Sequence, residues 1–428
     1  MRRRDFLKAG LTMAGAVALR PTFWERAFGA PAVPGPSPYG PLQAPDANGL
    51  MLPAGFTSRV IARSGLPVVP APYIWPIFPD GAATFPAAGG GWYYVVNSET
   101  PSHGALPDAI QHFGGASAIH FDADGNILDA YNVLSGTRTN CAGGATPWGT
   151  WLSCEEFDDG DDGGETASAG HVWECDPTGK AAAVRRDALG AFEHEAAAVD
   201  PATNQIYLTE DKGDGRFYRF TPGRFTGTAS DLNAGTLAAA QLLGPAGGPW
   251  NVVWHTIPDP SAATVQTRKQ VAATSPFRGG EGCFLHDGVV HFTTKGDDRV
   301  WRFSIASQTM DILYDAADPP NQGKTVLSGV DNVLVSRSGD VFIAEDGGNM
   351  EIVMITPNNV VAAVMRATGP EHGLFENPLP DPAGELPTVS EITGLTFSPD
   401  GSRLYFSSQR GLVLGITYEV RGPFRPTA

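Results

Sequence analysis

HEAAAVDPATNQIYLTED, residues His194–Asp211, holds two short apolar runs separated by a Pro-Ala-Thr-Asn turn at Pro201–Asn204. Glu195 opens the first run and Glu210 closes the second. Short apolar runs on either side of a turn of Pro and Asn read as a β-hairpin. This one carries a carboxylate on each arm at its open end. A lone hairpin cannot bury a core, so the fold depends on whether the chain repeats it.

It does. EGCFLHDGVVHFTTKGDDRVWRFSI opens on Glu281, turns at Asp287-Gly288 and adds an outer strand, Arg299–Ile305. DNVLVSRSGDVFIAEDGGNMEIVMI opens on Asp331, turns at Ser338-Gly339 and reaches Glu345 at the end of its second run. EITGLTFSPDGSRLYFSSQRG opens on Glu391 and turns at Pro399-Asp400-Gly401. Weaker copies are GGGWYYVVNSE, ending at Glu99, and ASAIHFDADGNILDAYNV, ending at Val133. Asp-Gly and Ser-Gly turns between apolar strands are strong hairpin signals, and units of about 40 to 60 residues with three or four strands read as propeller blades. The expected fold is all-β, a β-propeller of about six blades, with five or seven as alternatives.

Composition agrees. The 428 residues include 52 Gly and 36 Pro, only 18% are charged, and no long helical period is present. The first 32 residues carry RRDFLK (Arg3–Lys8), an apolar run Ala9–Leu19 and a small-residue site at Ala30-Pro31-Ala32. These are the marks of a twin-arginine signal peptide, and the run is too short to anchor the chain in a membrane. The expectation is a periplasmic or secreted monomer, handed folded and metal-loaded to the twin-arginine machinery. Residues 33–50 are a Pro-rich lead-in, and residues 51–428 the propeller. The net charge of −17 argues against nucleic-acid binding, which needs basic faces. It suits bound polyvalent cations, and ordinary solubility equally.

The repeat gives the acids a common destination. The first strand of each blade lines the axis, so Glu195, Glu281, Asp331 and Glu391, all at its opening, converge on one end of the channel. Glu99, Glu155, Glu156, Glu210 and Glu345 stand where second strands end. Bound cations or large pKa shifts relieve the repulsion within such a ring. NCAGGATPWGTWLSCEE, Asn140–Glu156, adds a thiol: a Gly-rich turn and a short Trp-bearing strand, Trp148–Ser153, run from Cys141 to Cys154 and its two following acids. Carboxylates suit hard cations such as calcium and ferric iron, and a thiolate suits a transition metal. The other reading is a strand leaving into the acidic turn FDDGDDGGE, with the Cys residues buried thiols or disulfide-bonded. Cys141, Cys154, Cys175 and Cys283 permit two disulfides, and none forms a CxxC zinc pattern.

Thr221–Phe277 interrupts the repeat with WNVVW (Trp250–Trp254) and an expected helix over Ser261–Ala273. The insertion ends at Arg278-Gly279-Gly280-Glu281, bringing Arg278 toward the acids as an anion ligand. Lys212 is a second candidate, with an ion pair to a neighbouring carboxylate as the equal alternative.

These residues resemble the PhoX-type alkaline phosphatases: the twin-arginine start, NCAGGATPWGTWLSCEE, HEAAAVDP with YLTED, the EG-opened strand, DN with AEDGG, and TGLTFSPDG. The resemblance spans residues from about 50 to 424, although the chain is shorter than well-known members. It implies a β-propeller holding two ferric irons (Fe3+) and several calcium ions (Ca2+) and hydrolysing phosphate monoesters outside the cytoplasm. Carried over, it implies Cys141 as the iron thiolate and Glu99, Glu156, Glu195, Glu281 and Asp331 as carboxylate ligands, with Glu155 as alternative to Glu156. Glu210 and Glu345 become further calcium ligands, and Arg278 a phosphate contact. Two other classes stay open: a calcium-dependent propeller lactonase or esterase, and a non-catalytic propeller stabilised by calcium.

Overall fold

The computed structural model describes residues 32–100, 114–157, 170–224, 230–321, 327–347, 349–369, 372, 390–411 and 415–426. The signal segment, 1–31, lies outside them. Strands β1 (Val33–Pro34), β2 (Leu50–Met51) and β3 (Thr57–Arg63) come first. Then follow β4 (Pro79–Pro86), β5 (Trp92–Ser98), β6 (Gly114–Phe121) and β7 (Ile127–Thr137), making blade 1. Blade 2 is β8 (Asn140–Ala145), β9 (Trp151–Glu155), β10 (Val172–Cys175) and β11 (Val184–Arg185). Blade 3 is β12 (His194–Val199), β13 (Ile206–Glu210), β14 (Phe217–Pro222) and β15 (Gly235–Leu243), after which β16 (Trp250–Thr256) crosses to the next blade. Blade 4 is β17 (Gly280–His286), β18 (Val289–Thr294), β19 (Arg299–Ser304) and β20 (Thr309–Asp315). Blade 5 is β21 (Val330–Val335), β22 (Val341–Glu345), β23 (Glu351–Ile355) and β24 (Val360–Ala367). Blade 6 joins β25 (Ile392–Phe397), β26 (Arg403–Ser408) and β27 (Ile416–Arg421) to β3.

Six blades are thus present among the described residues. Their first strands, β4, β8, β12, β17, β21 and β25, pack against one another in that circular order around an axis. Between blades the apolar faces interlock: Leu152, Cys154 and Val172 of blade 2 share a core with Ala197, Leu208 and Tyr218 of blade 3. Burying a side chain of the size of Leu contributes about 1.5 to 3 kcal/mol, and this is the force that holds neighbouring sheets face to face. Blade 6 closes the circle, because β3 comes from the N-terminal side and pairs antiparallel with β27, Thr57 opposite Arg421 and Arg63 opposite Ile416.

Every first strand slips its pairing register near its start, between Pro79 and Ala82, Asn140 and Gly143, His194 and Ala197, Gly280 and Cys283, Val330 and Val333, and Thr393 and Thr396. Such bulges re-aim side chains, here at the mouth of the axis. Close approach of backbones explains the glycines of NCAGG: a Cβ on Gly143 would lie 2.0 Å from the Leu152 carbonyl oxygen, and one on Gly144 1.9 Å from that of Ala197. Beyond the bulges the axis is an open channel of about 1160 Å³, walled by small and apolar residues such as Ala83, Ala198, Cys283, Val333 and Leu395.

Two expectations change. Strand β9 begins at Trp151, and Trp148 falls in the preceding turn, where Gly149 takes a positive φ of 86°. The segment read as an insertion with a helix holds β15, the fourth strand of blade 3, and β16, which pairs with β15 and reaches β20 at Trp250 and Asn251. Among its described residues the only helical piece is one 3₁₀ turn, Thr267–Lys269. The Asp259 carboxylate there accepts the Ser261 and Ala263 N–H groups. Local side-chain bonding of that kind competes with helix formation.

Candidate metal centre

In five blades the residue just inside the bulge faces the axis: Asp80, Cys141, Glu195, Glu281 and Asp331 are each the second residue of their strand. All five are buried. In β25 that place falls to Gly394, whose Cβ would sit 2.4 Å from the Asp80 carbonyl oxygen. Blade 6 instead contributes Glu391, one residue before the strand.

Second strands add the next layer. The residue after the last strand position is Glu99, Glu156, Asp211, Lys295 and Asp346 in blades 1 to 5. Successive strand residues face opposite sides, so in the pairs Glu155-Glu156, Glu210-Asp211 and Glu345-Asp346 only the second member joins the axial group. The first members turn into their blades. Glu155 accepts the His171 N–H at 3.1 Å. Glu210 accepts the Arg216 N–H at 2.9 Å and the Tyr218 hydroxyl at 2.8 Å, with Arg268 alongside at 3.4 Å. Glu345 accepts the Ser328 and Glu351 N–H groups at 3.0 and 3.1 Å. These three were expected among the ligands; the structure makes them supports for the turns that lead into the third strands.

Two sets of ligand atoms lie close enough to share an ion: Cys141, Glu156 and Glu195, and Glu195, Glu281 and Asp331, each set within 4.8 Å of one another. Glu195 belongs to both. Gln409 donates to Asp80 at 2.7 Å and to Glu99 at 2.6 Å, tying blade 6 to blade 1. The Cys141 thiol lies 3.3 Å from the His194 carbonyl oxygen. All four cysteines are free and buried.

The electrostatics are one-sided. Among the described residues, Asp80, Glu99, Glu156, Glu195, Asp211, Glu281, Asp331, Asp346 and Glu391 feel one another's charge, against the two cations Lys295 and Arg410. Burial, followed by the charge of Glu281 and Glu156, drives Glu195 well above the usual carboxylate range. Burial likewise lifts Asp331 to about 7, against the opposing pull of Lys295. The Cys141 thiol is pushed up by burial and then by Glu195 and Glu156. Nine carboxylates against two cations is the donor set a group of hard cations neutralises, and a thiol within reach of Glu156 and Glu195 adds the softer ligand of a transition metal. The residues fit a multi-metal centre.

Lys295 reaches Glu281 at 2.9 Å, Asp346 at 3.5 Å and Asp211 at 3.8 Å. Arg410 reaches Glu391 at 2.5 Å. Neither was singled out from the sequence, nor were Asp80, Asp211, Asp346 and Gln409. Asp80-Gly81 reads as a turn, and the usable signal was the small residue after four of the five axial ones, Gly81, Ala142, Ala196 and Gly282, with Asn332 after Asp331 the exception. Lys212, read equally as an anion ligand or as half of an ion pair, forms an ion pair with the buried Glu193 at 2.5 Å. Arg278 is exposed at the rim, where its carbonyl accepts the Gly296 N–H.

The sequence profile of the family described as Alkaline phosphatase PhoX matches residues 113–411. Comparison of the sequence with curated proteins gave no match. Among solved structures, Pseudomonas fluorescens PhoX in complex with vanadate, a transition state analogue, is similar at a TM-score of 0.69 and 17% identity, over 92% of this chain and 98% of that one. The gluconolactonase XC5397 from Xanthomonas campestris is covered to 98%, over 92% of this chain, at 13% identity and a TM-score of 0.44, too remote to bear on the chemistry. The fold agrees with the first of these, and the profile takes in the residues from β6 to the end of β26; the chain belongs to the PhoX family of alkaline phosphatases.

Proposed function

We propose that this phosphatase is exported and hydrolyses phosphate monoesters at an iron and calcium centre on the propeller axis. The observation that carries the reading is the axial group itself, nine carboxylates and one thiol against two cations. Cys141, Glu156 and Glu195 would hold iron, since a thiolate with carboxylates suits it. Glu281 and Asp331 share Glu195 with that set, and Asp80, Glu99 and Glu391 complete an oxygen-rich shell suited to calcium. When bound, such cations neutralise phosphoryl oxygens and acidify water.

The remaining contributions come from the chain. Four buried first-strand carboxylates and the Cys141 thiol, aimed by the bulges of five blades, fix the ligand positions before substrate arrives, which is the preorganisation phosphoryl transfer depends on. Lys295 and Arg410 bring positive charge to a mouth that would otherwise repel a phosphate dianion. Hydrolysis adds water across the ester P–O bond and releases the alcohol and inorganic phosphate. Cys141 is 3% exposed, which fits a ligand better than a nucleophile. The paired arginines and apolar run of the first 32 residues support export.

The test is metal content by plasma emission on undialysed protein, with its visible spectrum and turnover of p-nitrophenyl phosphate. Iron with calcium, a charge-transfer band and phosphatase turnover are expected. Calcium without iron would overturn the iron assignment and leave Cys141 a buried structural thiol.

A further inference from the structure

We infer that Arg410, at the end of β26, is the residue that binds the phosphoryl group of the substrate and of the product phosphate. The inference rests on the phosphatase reading above and goes beyond it by naming the group that recognises the dianion. Both cations of the axial group reach its solvent side: the Lys295 and Arg410 side chains are 38% and 28% exposed, level with Asp346, Asp211 and Glu99 at 34%, 22% and 21%, while Glu281 and Glu391 are 3% and 8% exposed. A dianion entering the mouth therefore meets these cations, with Asp346, Asp211 and Glu99 around them, before it reaches the buried Glu281 and Glu391.

Their donors are used differently. Lys295 has three N–H donors and three carboxylates within 4.0 Å, Glu281, Asp346 and Asp211. Its charge is spent inside the ring. Arg410 bonds Glu391 through Nη1 alone, and its Nη2 stands 3.9 Å from Glu99, beyond hydrogen-bond distance. Among the described residues, Nη2 and Nε of Arg410 make no hydrogen bond, so two donors of a planar fork are left for a ligand. A guanidinium held on one edge and open on the other matches the paired oxygens of a phosphate.

The backbone holds that aim. The Arg410 N–H donates to Ser390 Oγ at 2.9 Å, and the Gln409 N–H donates to the Glu391 carbonyl oxygen at 3.0 Å. Gln409 in turn grips Asp80 and Glu99 through its side chain. Arg410 is therefore fixed beside the axial carboxylates from both sides. Arg278 carries charge too, but from an exposed position at the rim.

The experiment measures binding of radiolabelled inorganic phosphate to the metal-loaded protein by equilibrium dialysis, with vanadate inhibition of p-nitrophenyl phosphate turnover and metal content on the same samples. Arg410→Gln is expected to weaken phosphate and vanadate binding about 10- to 100-fold, the scale of one charge-assisted bond, with metal content unchanged. Arg410→Lys keeps the charge and removes the fork; near-UV circular dichroism confirms its fold, and it is expected to recover only part of the affinity. Unchanged phosphate affinity in both variants would overturn the inference, as would loss of metal in step with loss of phosphate, which makes Arg410 a counter-ion only. Wild-type protein that turns over no phosphate monoester would instead overturn the reading underneath, and the two failures are told apart by the wild-type assay.

Discussion

Glu345 shows how much one residue of strand phase decides. It was expected at the axis, yet its neighbour Asp346 is the one that joins the axial group, while Glu345 accepts two N–H groups inside blade 5. Burial pushes its carboxyl from 4.5 to about 8, against the pull of the Ser328 N–H. A carboxyl raised in the folded protein supports the fold fully below its unfolded value and loses that support as pH rises through the folded one. Stability is therefore expected to fall between pH 4.5 and about 8, and Glu345→Gln is expected to flatten that part of the profile; denaturant midpoints across the range check it. Cys141→Ser makes the second residue-scale prediction: the purified protein is expected to lose iron and visible absorbance while keeping calcium. Full iron in that variant would remove the thiolate from the proposal.

At the scale of the strand, Glu195, Glu281 and Asp331 were legible because each opens an apolar run, and a run's first residues point where the strand points. Which of two adjacent acids faces the axis was not legible. A shift of one residue flips a side chain to the other face, and the bulges insert a further residue that no hydrophobic pattern announces. Asp80 was hidden for a related reason: Asp-Gly is the commonest hairpin sign, and only the packing of Gly81 against Ala142 gives it another meaning. The glycines can be tested in the same terms. Gly143→Ala forces a Cβ to 2.0 Å from the Leu152 oxygen and is expected to cost about 1 to 3 kcal/mol as overpacking. Gly213→Ala, with nothing within 4 Å, is expected to stay within about 0.5 kcal/mol. Guanidinium unfolding of the two variants separates close approach from a general intolerance of substitution.

For the whole molecule, a propeller of about six blades was readable from repeated hairpins, but the closure was not, since nothing in Thr57–Arg63 marks it as the partner of a strand more than three hundred residues away. Glu419 secures that closure. It is buried on β27, bonded to Arg59 of β3 at 2.8 Å, to Arg403 at 3.0 Å and to the Tyr405 hydroxyl at 2.8 Å. Glu419→Gln leaves Arg403 without its carboxylate and is expected to destabilise the protein by about 3 to 5 kcal/mol, read as a shift in the unfolding midpoint. The way the circle is sealed also sets how it yields to a pull. Thr57, where β3 begins, faces Arg421, where β27 ends, so tension applied through the two ends of the chain falls on the same end of that pair. The seam then parts like a zip, one rung at a time and at low force, instead of shearing all its rungs together. Before that, β2 and β1 must be peeled from β24. Once they are gone, blade 6 parts from the Arg403 end of its outer seam, and Gln409 and Arg410, which follow β26 at the other end, are the last of the blade to feel the pull.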